Sequence, residues 1–424
     1  MKMARVVSLL LVTCLLAVTM LAGCGTSTTE TKEIKIGVIG PMFYMQGEHH
    51  RYGAEMAAQE INDQGGIKIG QDSYRIKLVI ANSNEIFSVP DAASAMEKLV
   101  SLDKVNFVVG GIRTEAVLAM QDIAMDYKTI FMGCGASTTE LCTRVSNNYN
   151  KYKYWFRSIP VNSDYLGQIS FELLKMVAGK VAQKTGAPPK VAILAEQAVW
   201  ADAIVQAAEQ NLPGLGLQVV GKWRVSATTD QVTSELTSIQ KAGANMIFTA
   251  LSGPVGLQYA KKWGELKIPA ASVGINVEAQ DSGFWKATGE LGNYELTMNM
   301  IARVKITDLT IPFYDKFVTM FGGSPTYNAG TYEALYMLKE AIERAGTLDS
   351  DALVLALEET DHVGTAGRFV FTENHDLTWG KSYVTAIGTQ WLNGEMKCVW
   401  PPPGGEWQGV AYEGTVNYTL PPWM

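Results

Sequence analysis

The sequence predicts an α/β protein with two doubly wound lobes, each built on a mainly parallel sheet, and three observations lead to this prediction. The chain has 424 residues, more than a single hydrophobic core usually holds. Strand signals and helix signals alternate along it, an order that favours a parallel sheet with helices on both faces. The alternation stops near residue 158 and then starts again, which indicates a second lobe similar to the first.

The first block of alternating elements covers residues 34–157. Short apolar segments rich in β-branched residues are separated by segments whose apolar residues recur at helical spacing. The predicted strands are 34–40, 75–81, 105–109 and 129–132, and the predicted helices are 52–62, 92–102 and 114–127.

The second block covers residues 158–300 and repeats the pattern, so it is expected to form a lobe of its own. Its predicted strands are 190–195, 217–225, 246–250 and 271–275, and its predicted helices are 164–184, 201–211, 230–242 and 255–266.

Further elements follow the two complete blocks, so we expect the chain to cross back between the lobes. It would return to lobe 1 over residues 301–377 and to lobe 2 over 378–400, before a strap rich in proline and tryptophan at 401–424. The predicted elements are an extended segment at 294–304, helices at 312–321, 331–345 and 351–359, strands at 368–372 and 383–391, and a hairpin turn at Asn393-Gly394.

The N-terminus has the pattern of a secretory signal peptide. Lys2 and Arg5 precede an apolar stretch at 6–21, and small residues lead to Cys24. This ending resembles a bacterial lipobox, which implies removal of residues 1–23 and lipid attachment at Cys24. Residues 24–33 are small and polar, as in a flexible tether. The alternative is an uncleaved membrane anchor. Either way, the body of the protein is expected outside the cytoplasm.

The composition bears on nucleic-acid binding, and the cysteine spacing bears on disulfide formation. A formal charge of −7 gives no reason to expect binding of nucleic acid, which needs a basic face. Beyond Cys24 the cysteines are Cys134, Cys142 and Cys398. Cys134 and Cys142 are close enough in sequence to close a small disulfide loop, and the alternative is that both remain reduced.

The residue patterns of catalytic and metal sites are missing from the sequence. Only four histidines are present, which leaves few partners for a nucleophile. His49 and His50 are adjacent, and no third metal ligand follows at a useful spacing. No nucleophile elbow, phosphate loop or dinucleotide fingerprint occurs. We therefore expect neither an enzyme nor a cofactor or metal.

Two loops that follow predicted strands are candidates for an anion site. Thr114 and Ser137 come just before helices, where free N–H groups and the helix dipole favour an anion; alternatively, both simply cap their helices. Arg113 could bind a carboxylate through two parallel hydrogen bonds, or it could be an ordinary surface arginine. Trp200 follows a strand and could cover an apolar ligand, or it could pack within its own lobe.

Five segments carry a resemblance to a known family. Residues 36–41 with 53–57 and 60–67, then Val109-Gly110-Gly111, then 133–137, resemble the leucine/isoleucine/valine-binding protein family. The resemblance covers residues 34 to about 400. It implies a type I periplasmic-binding-protein fold, in which three crossovers form a hinge and the lobes close on a ligand. It also implies delivery of that ligand to an ABC permease in the membrane.

The resemblance also implies a ligand pocket. Two of the implied pocket positions depart from the family pattern. Ser252 replaces an aromatic residue, and Asn276 replaces the acid that pairs with a ligand's ammonium group. A ligand with a carboxylate and without an amine is therefore favoured. The implied pocket residues are Tyr44, Gln46, Arg113, Thr114, Gly135, Ser137, Trp200, Ser252 and Asn276.

The leading functional hypothesis is a monomeric solute-binding lipoprotein of an ABC importer. Its ligand would be a small carboxylate, either amino-acid-like, aliphatic or aromatic. The alternative is a sensory protein that reports the same kind of solute to a membrane partner, because one fold serves both purposes. A surface hydrolase is a third hypothesis, which the shortage of histidines disfavours.

Overall fold

The structure is a computed structural model that describes residues 32–407 and 410–424. The predicted signal peptide, 1–23, and Cys24 lie outside these residues. Within them the chain forms two large sheets, each the centre of one lobe. The predicted α/β fold with two lobes is confirmed.

Lobe 1 is built on a six-stranded sheet in the order β2-β3-β1-β4-β5-β6. β1 pairs in parallel with β4, β4 with β5, and β5 with β6, whereas β2 and β3 form an antiparallel pair. The strands are β1 (Lys32–Gly40), β2 (Ile67–Ile69), β3 (Asp72–Asn82), β4 (Phe107–Gly110), β5 (Ile130–Gly133) and β6 (Trp155–Arg157).

Helices cover both faces of this sheet. They are α1 (Met45–Asp63), α2 (Val89–Glu97), α3 (Thr114–Asp126), α4 (Glu140–Asn147) and α5 (Tyr149–Tyr152), with a π-helical turn at Lys98–Leu102.

Lobe 2 is built on a seven-stranded sheet. β7 to β11 pair in parallel, and β14 and β15 extend the sheet in antiparallel fashion in the order β15-β14-β11-β10-β9-β7-β8. The strands are β7 (Lys190–Glu196), β8 (Gln218–Val225), β9 (Met246–Leu251), β10 (Ala271–Asn276), β11 (Leu296–Asn299), β14 (Ile387–Leu392) and β15 (Glu395–Trp400). Its helices are α6 (Ser163–Thr185), α7 (Val199–Asn211), α8 (Thr233–Lys241), α9 (Val255–Glu265) and α10 (Phe284–Ala287).

Between β11 and β14 the chain returns to lobe 1. The segment contains α11 (Thr310–Phe321), a short 3₁₀ turn at Tyr327–Gly330, α12 (Thr331–Ala345), α13 (Ser350–Glu358) and the hairpin of β12 (Asp361–Gly364) and β13 (Gly367–Val370). The Thr331 hydroxyl donates to the His50 carbonyl in α1 at 2.7 Å, which fixes α12 on lobe 1. The chain therefore crosses between the lobes three times: after β6, after β11 and before β14.

The C-terminal segment is fastened to lobe 2. Gln390 exchanges two hydrogen bonds with the backbone of Thr419, at 2.7 and 3.0 Å. The indole N–H of Trp423 donates to the Ile268 carbonyl at 2.9 Å, and its ring lies 5.4 Å from that of Trp263. A short hairpin of β16 (Glu406–Trp407) and β17 (Val410–Ala411) precedes this segment.

Some predicted boundaries were wrong. β1 begins at Lys32, so the last two residues of the predicted tether belong to the sheet. The first helix begins at Met45 rather than 52, because polar residues of its first turns are buried by other segments and hide the helical apolar pattern. Strand 383–391 begins only at Ile387, and α4, α5 and β6 were not predicted. Among the described residues, no helix is both long and apolar enough to cross a membrane.

Candidate functional site

A cavity lies between the two lobes. It sits where the parallel strands of both sheets end, which is the usual place for ligands in open α/β sheets. None of the twelve lining residues that the structure describes carries a charged side chain. They are Ile112, Gly135, Ser137, Pro160, Leu166, Trp200, Ser252, Ile275, Val277, Gln280, Met298 and Tyr327.

Four of the nine sequence-predicted pocket residues line this cavity. Gly135 and Ser137 lie in the loop between β5 and α4, Trp200 lies in the first turn of α7, and Ser252 directly follows β9. Sequence reasoning missed Gln280 and Tyr327, as well as most of the apolar wall.

The loop that carries Ser137 is held from below by Arg157, which is fully buried. The guanidinium donates to the carbonyls of Ala136 and Thr138 and forms an ion pair with Asp376 at 2.7 Å. Because the C=O and N–H of one peptide point in opposite directions, the Ser137 N–H is turned away from Arg157. No described residue accepts a hydrogen bond from the N–H groups of residues 135–137.

Gly135 brings this loop against the end of β4. A Cβ atom at this position would lie 2.4 Å from the Gly111 carbonyl oxygen and 2.8 Å from the Ile112 Cα atom. Only a residue without a side chain fits there, so the close approach of the two loops depends on glycine.

The wall formed by lobe 2 is organised by Glu196, a fully buried residue at the end of β7. Its carboxylate accepts hydrogen bonds from the Trp200 indole at 2.7 Å and from the Ser252 hydroxyl at 2.5 Å. It also accepts from the N–H groups of Ser252 and Gly253, at 2.8 and 3.0 Å. Trp200 and Ser252 thus face the cavity while fixed to one carboxylate.

Gln280 supplies a hydrogen-bond acceptor on the lobe 2 side of the cavity. The Gln280 amide donates to the Met298 carbonyl at 2.9 Å, which leaves its oxygen buried without a partner among the described residues. Gln46 reaches across from lobe 1 and donates to the Ser252 carbonyl and to Glu278, both at 2.9 Å. Burial, together with the charges of Asp281 and Glu196, raises the pKa of Glu278 to about 7, although the hydrogen bond from Gln46 opposes the rise. Gln46 is therefore an interlobe contact and not part of the cavity lining.

Arg113 does not line the cavity. Its side chain is 17% exposed, so it is not an ordinary surface arginine either. The guanidinium lies 3.7 Å from Glu115 and 3.9 Å from Glu196 of lobe 2. The N–H groups of Ile112 and Arg113 both donate to the Glu85 carboxylate at 3.0 Å, so a side chain of the protein fills the anion position predicted beside Thr114.

Three other predicted residues also lie outside the lining. Thr114 is fully buried as the first residue of α3, and the ring of Tyr44 lies 5.8 Å from that of Phe87. The Asn276 amide points into lobe 2, where it donates to the Gly256 carbonyl and to Glu295. Neither Thr114 nor Ser137 caps its helix: the N-cap positions of α3 and α4 are Arg113 and Thr139.

The disulfide between Cys134 and Cys142 is not formed, and the structure corrects that expectation. Both are buried free thiols. The Cys134 sulfur lies 3.0 Å from the Ser158 hydroxyl, whereas the Cys142 sulfur lies 3.8 Å from Arg157. Their side chains have separate partners, so closeness in sequence did not bring the sulfurs together.

The paired histidines have structural partners. His49 contacts the Thr326 hydroxyl at 2.9 Å, and His50 contacts the Cys134 carbonyl at 3.1 Å. Burial lowers the pKa of His49 to about 4 and that of His50 to about 3, so both are neutral at pH 7. Within residues 32–407 and 410–424, no group of three or more His, Cys, Asp or Glu side chains could hold a metal ion.

With this geometry in view, comparison with known proteins decides the family. A family model described as periplasmic binding protein matches residues 33–390. The chain belongs to this family. Membership makes it a solute-binding protein and implies a location outside the cytoplasm. The type I fold expected from the sequence resemblance is thereby confirmed.

Several members of the family are similar to this binding protein over most of their length. A leucine-, isoleucine-, valine-, threonine- and alanine-binding protein of Pseudomonas aeruginosa is 23% identical over 378 residues, which cover 86% of this chain and 92% of that protein. A Leu/Ile/Val-binding protein of Rhizobium johnstonii is 22% identical over 368 residues, 86% of this chain and 94% of that protein.

Solved structures share the fold. A branched-chain amino acid transporter substrate-binding protein from Streptococcus pneumoniae, in complex with isoleucine, has a TM-score of 0.72 at 19% identity and covers 86% of this chain and 98% of its own. A solute-binding protein of an ABC transporter from R. palustris, in complex with benzoate, has a TM-score of 0.69 at 18% identity, with coverages of 90% and 99%.

Proposed function

We propose that this binding protein is a lipoprotein of an ABC importer that captures a small carboxylic acid between its lobes. One observation carries the proposal: the loop of residues 135–137 presents N–H groups without described partners beside an apolar cavity. Several N–H donors on one loop form a ready site for an anion.

The rest of the cavity suits an apolar body. Trp200, Leu166, Ile275 and Met298 offer aromatic and aliphatic walls, as the linings of small-molecule sites usually do. Isoleucine and benzoate, the ligands of two similar proteins, both combine a carboxylate with an apolar body.

We further propose that the ligand lacks an amine. No described lining residue carries a negative charge that would balance an ammonium group, and Asn276 is turned away from the cavity. If an amino acid were the ligand, Glu278 would be the acid placed to accept its ammonium group, after Gln46 moved aside.

A matched pair of ligands tests this proposal. Leucine and 4-methylpentanoate have the same apolar body and differ in the amine. Thermal shift and titration calorimetry on the mature chain should show binding of 4-methylpentanoate, which would add about 2.7 kcal/mol of stability at a hundredfold excess over its Kd. Binding of leucine alone would overturn the amine-free ligand. Binding of neither compound, nor of benzoate, would overturn the carboxylate ligand.

The lipid anchor and the importer partner complete the proposal. Cys24 is the proposed acylation site, and a permease in the same membrane is the proposed partner. Cells that express the chain should incorporate a labelled fatty acid into it, and Cys24→Ala should abolish the label. Uptake of the labelled ligand should fall when the chain is deleted. Unchanged uptake would overturn the importer role.

A further inference from the structure

The carboxylate of Glu196 has neutral hydrogen-bond donors on its own lobe and an ion-pair partner on the other. Its donors are Trp200, Ser252 and Gly253, all in lobe 2. Among the described residues its ion-pair partner is Arg113, whose Nη1 atom lies 3.9 Å from Oε1. A buried charge is costly unless it is balanced. Arg224 of lobe 2 donates to the backbone carbonyl of Glu196 and not to its carboxylate, so the carboxylate takes its ion-pair partner from lobe 1.

Arg113 is held in place for this contact. Its backbone N–H is bound by Glu85, and its Nε atom lies 3.7 Å from Glu115. Glu115 in turn accepts the backbone N–H of Val199 from lobe 2 at 3.3 Å. The start of α3 therefore meets lobe 2 in two adjacent contacts, one with the end of β7 and one with the first turn of α7. Both contacts join different lobes, so both require the lobes to be closed.

We propose that Arg113 is a positioning residue of the ligand site that acts through Glu196. When the lobes close, the guanidinium balances the carboxylate that holds Trp200 and Ser252 on the cavity wall. When they open, Glu196 loses this ion pair, so the order of the lobe 2 wall and the closure of the lobes favour each other. The inference rests on the proposed function only for the identity of the cavity as the ligand site.

The first test measures closure without any ligand. Spin labels at Lys104→Cys and Lys241→Cys, two exposed positions on different lobes, report the interlobe distance in the mature chain carrying Cys24→Ser. Arg113→Ala should shift the distance distribution towards longer values, and Arg113→Lys, which keeps the charge, should restore part of the shorter population. The matched control is Arg51→Ala, which removes an arginine paired with Glu55 within α1.

A double-mutant cycle then tests the route through Glu196. Glu196→Gln keeps the side chain's size and removes its charge. If Arg113 acts through this charge, the change from Arg113→Ala should be much smaller in the Glu196→Gln background than in the wild type. Fully additive shifts would overturn the coupling, and a distribution for Arg113→Ala identical to that of the control would overturn the positioning role.

Ligand affinity provides a readout that a merely structural role would not move. Arg113→Ala should weaken binding of 4-methylpentanoate or leucine by about 5- to 150-fold, the usual range of coupling between sites, and Arg113→Lys should recover part of it. Because the distance measurement needs no ligand, failure of every ligand in the panel would overturn the proposed function and leave the test of Arg113 intact.

Discussion

One oxygen of the Glu85 carboxylate lies 3.0 Å from the backbone nitrogen of Arg113. The same oxygen lies 3.0 Å from the nitrogen of Ile112, and the Ser83 hydroxyl donates to the other at 3.0 Å. An acid of the protein is thus fully enclosed at the start of α3. Burial raises the pKa of Glu85 to about 7, although these hydrogen bonds oppose the rise.

Glu85→Gln is expected to weaken the dependence of stability on pH. An acid whose pKa is raised in the folded state binds its proton more tightly when folded, so it destabilises the fold as pH rises from 4.5 to about 7. Between about pH 5 and pH 7.5 the wild type should lose on the order of 2 kcal/mol more free energy of unfolding than the variant does. Urea unfolding at both pH values measures this, and equal losses would contradict it.

His362 is expected to stabilise the fold below pH 6.5 and to lose this effect as pH rises to about 10. Burial alone would lower its pKa, but hydrogen bonds and charges of Glu333 and Glu340 raise it to about 10. His362→Gln should lower the free energy of unfolding by about 3–5 kcal/mol at pH 6, which is the usual cost of breaking a buried ion pair, and by clearly less near pH 10. Lys77→Ala, which breaks an exposed pair with Glu33, should cost at most about 1 kcal/mol in the same unfolding measurement.

Gly135→Ala is expected to destabilise the protein by about 1–3 kcal/mol, because the added methyl group would overlap the Gly111 carbonyl. It should also weaken ligand binding, since the loop must move. Gly179→Ala is the control: nothing lies within 4 Å of the added atom in the exposed middle of α6, so it should stabilise by about 0.5–1 kcal/mol. Thermal unfolding measures the change in stability, and calorimetry measures the change in ligand affinity. Equal effects of the two substitutions would contradict this prediction.

Trp200→Ala should weaken binding of the proposed ligand by about 10- to 100-fold, since it removes an apolar wall of the cavity. The affinity of Trp200→Phe should lie between those of the wild type and Trp200→Ala, because phenylalanine keeps an aromatic ring but loses the hydrogen bond to Glu196. Trp423→Ala, on the C-terminal segment, should change stability without changing affinity. A Trp200→Ala protein that binds as tightly as the wild type would exclude this cavity as the binding site.

Alkylation is expected to leave the three thiols within the described residues of the folded protein unmodified. Burial raises the pKa of Cys134, Cys142 and Cys398 to about 12 in each case, so little reactive thiolate forms. Unfolding without a reducing agent should expose all three to iodoacetamide, which mass spectrometry counts. Modification of only one of them would indicate that Cys134 and Cys142 are bridged after all.

The architecture was predictable because it depends on periodic patterns. Apolar strands between amphipathic helices repeat twice along the chain, and the hairpin signal at Asn393-Gly394 correctly joins β14 to β15. The apolar pattern failed to predict helical turns whose buried side chains are polar. Gln46 and His49 are buried in the first turns of α1 by contacts with distant segments, which no local pattern reveals.

The site was only partly predictable for a related reason. Four of the expected residues line the cavity: position after a strand indicated Ser137 and Trp200, and the family resemblance implied Gly135 and Ser252. Neither could show that acids from other loops already occupy the neighbouring N–H groups. Glu85 lies in a polar loop and gives no signal at all, whereas a charged residue that ends the apolar run 191–196 could have singled out Glu196 as buried.

The three crossings between lobes have a consequence for how the chain reaches its native state. Helix α12 packs on α1, yet the Thr331 hydroxyl and the His50 carbonyl that join them are 281 residues apart. During synthesis and export, the first lobe therefore lacks its last helices until the whole second lobe has been made. Contacts of such long sequence separation slow folding and leave apolar surface uncovered in the meantime. A chain of this topology is therefore most exposed to aggregation and proteolysis while only part of it has been synthesised.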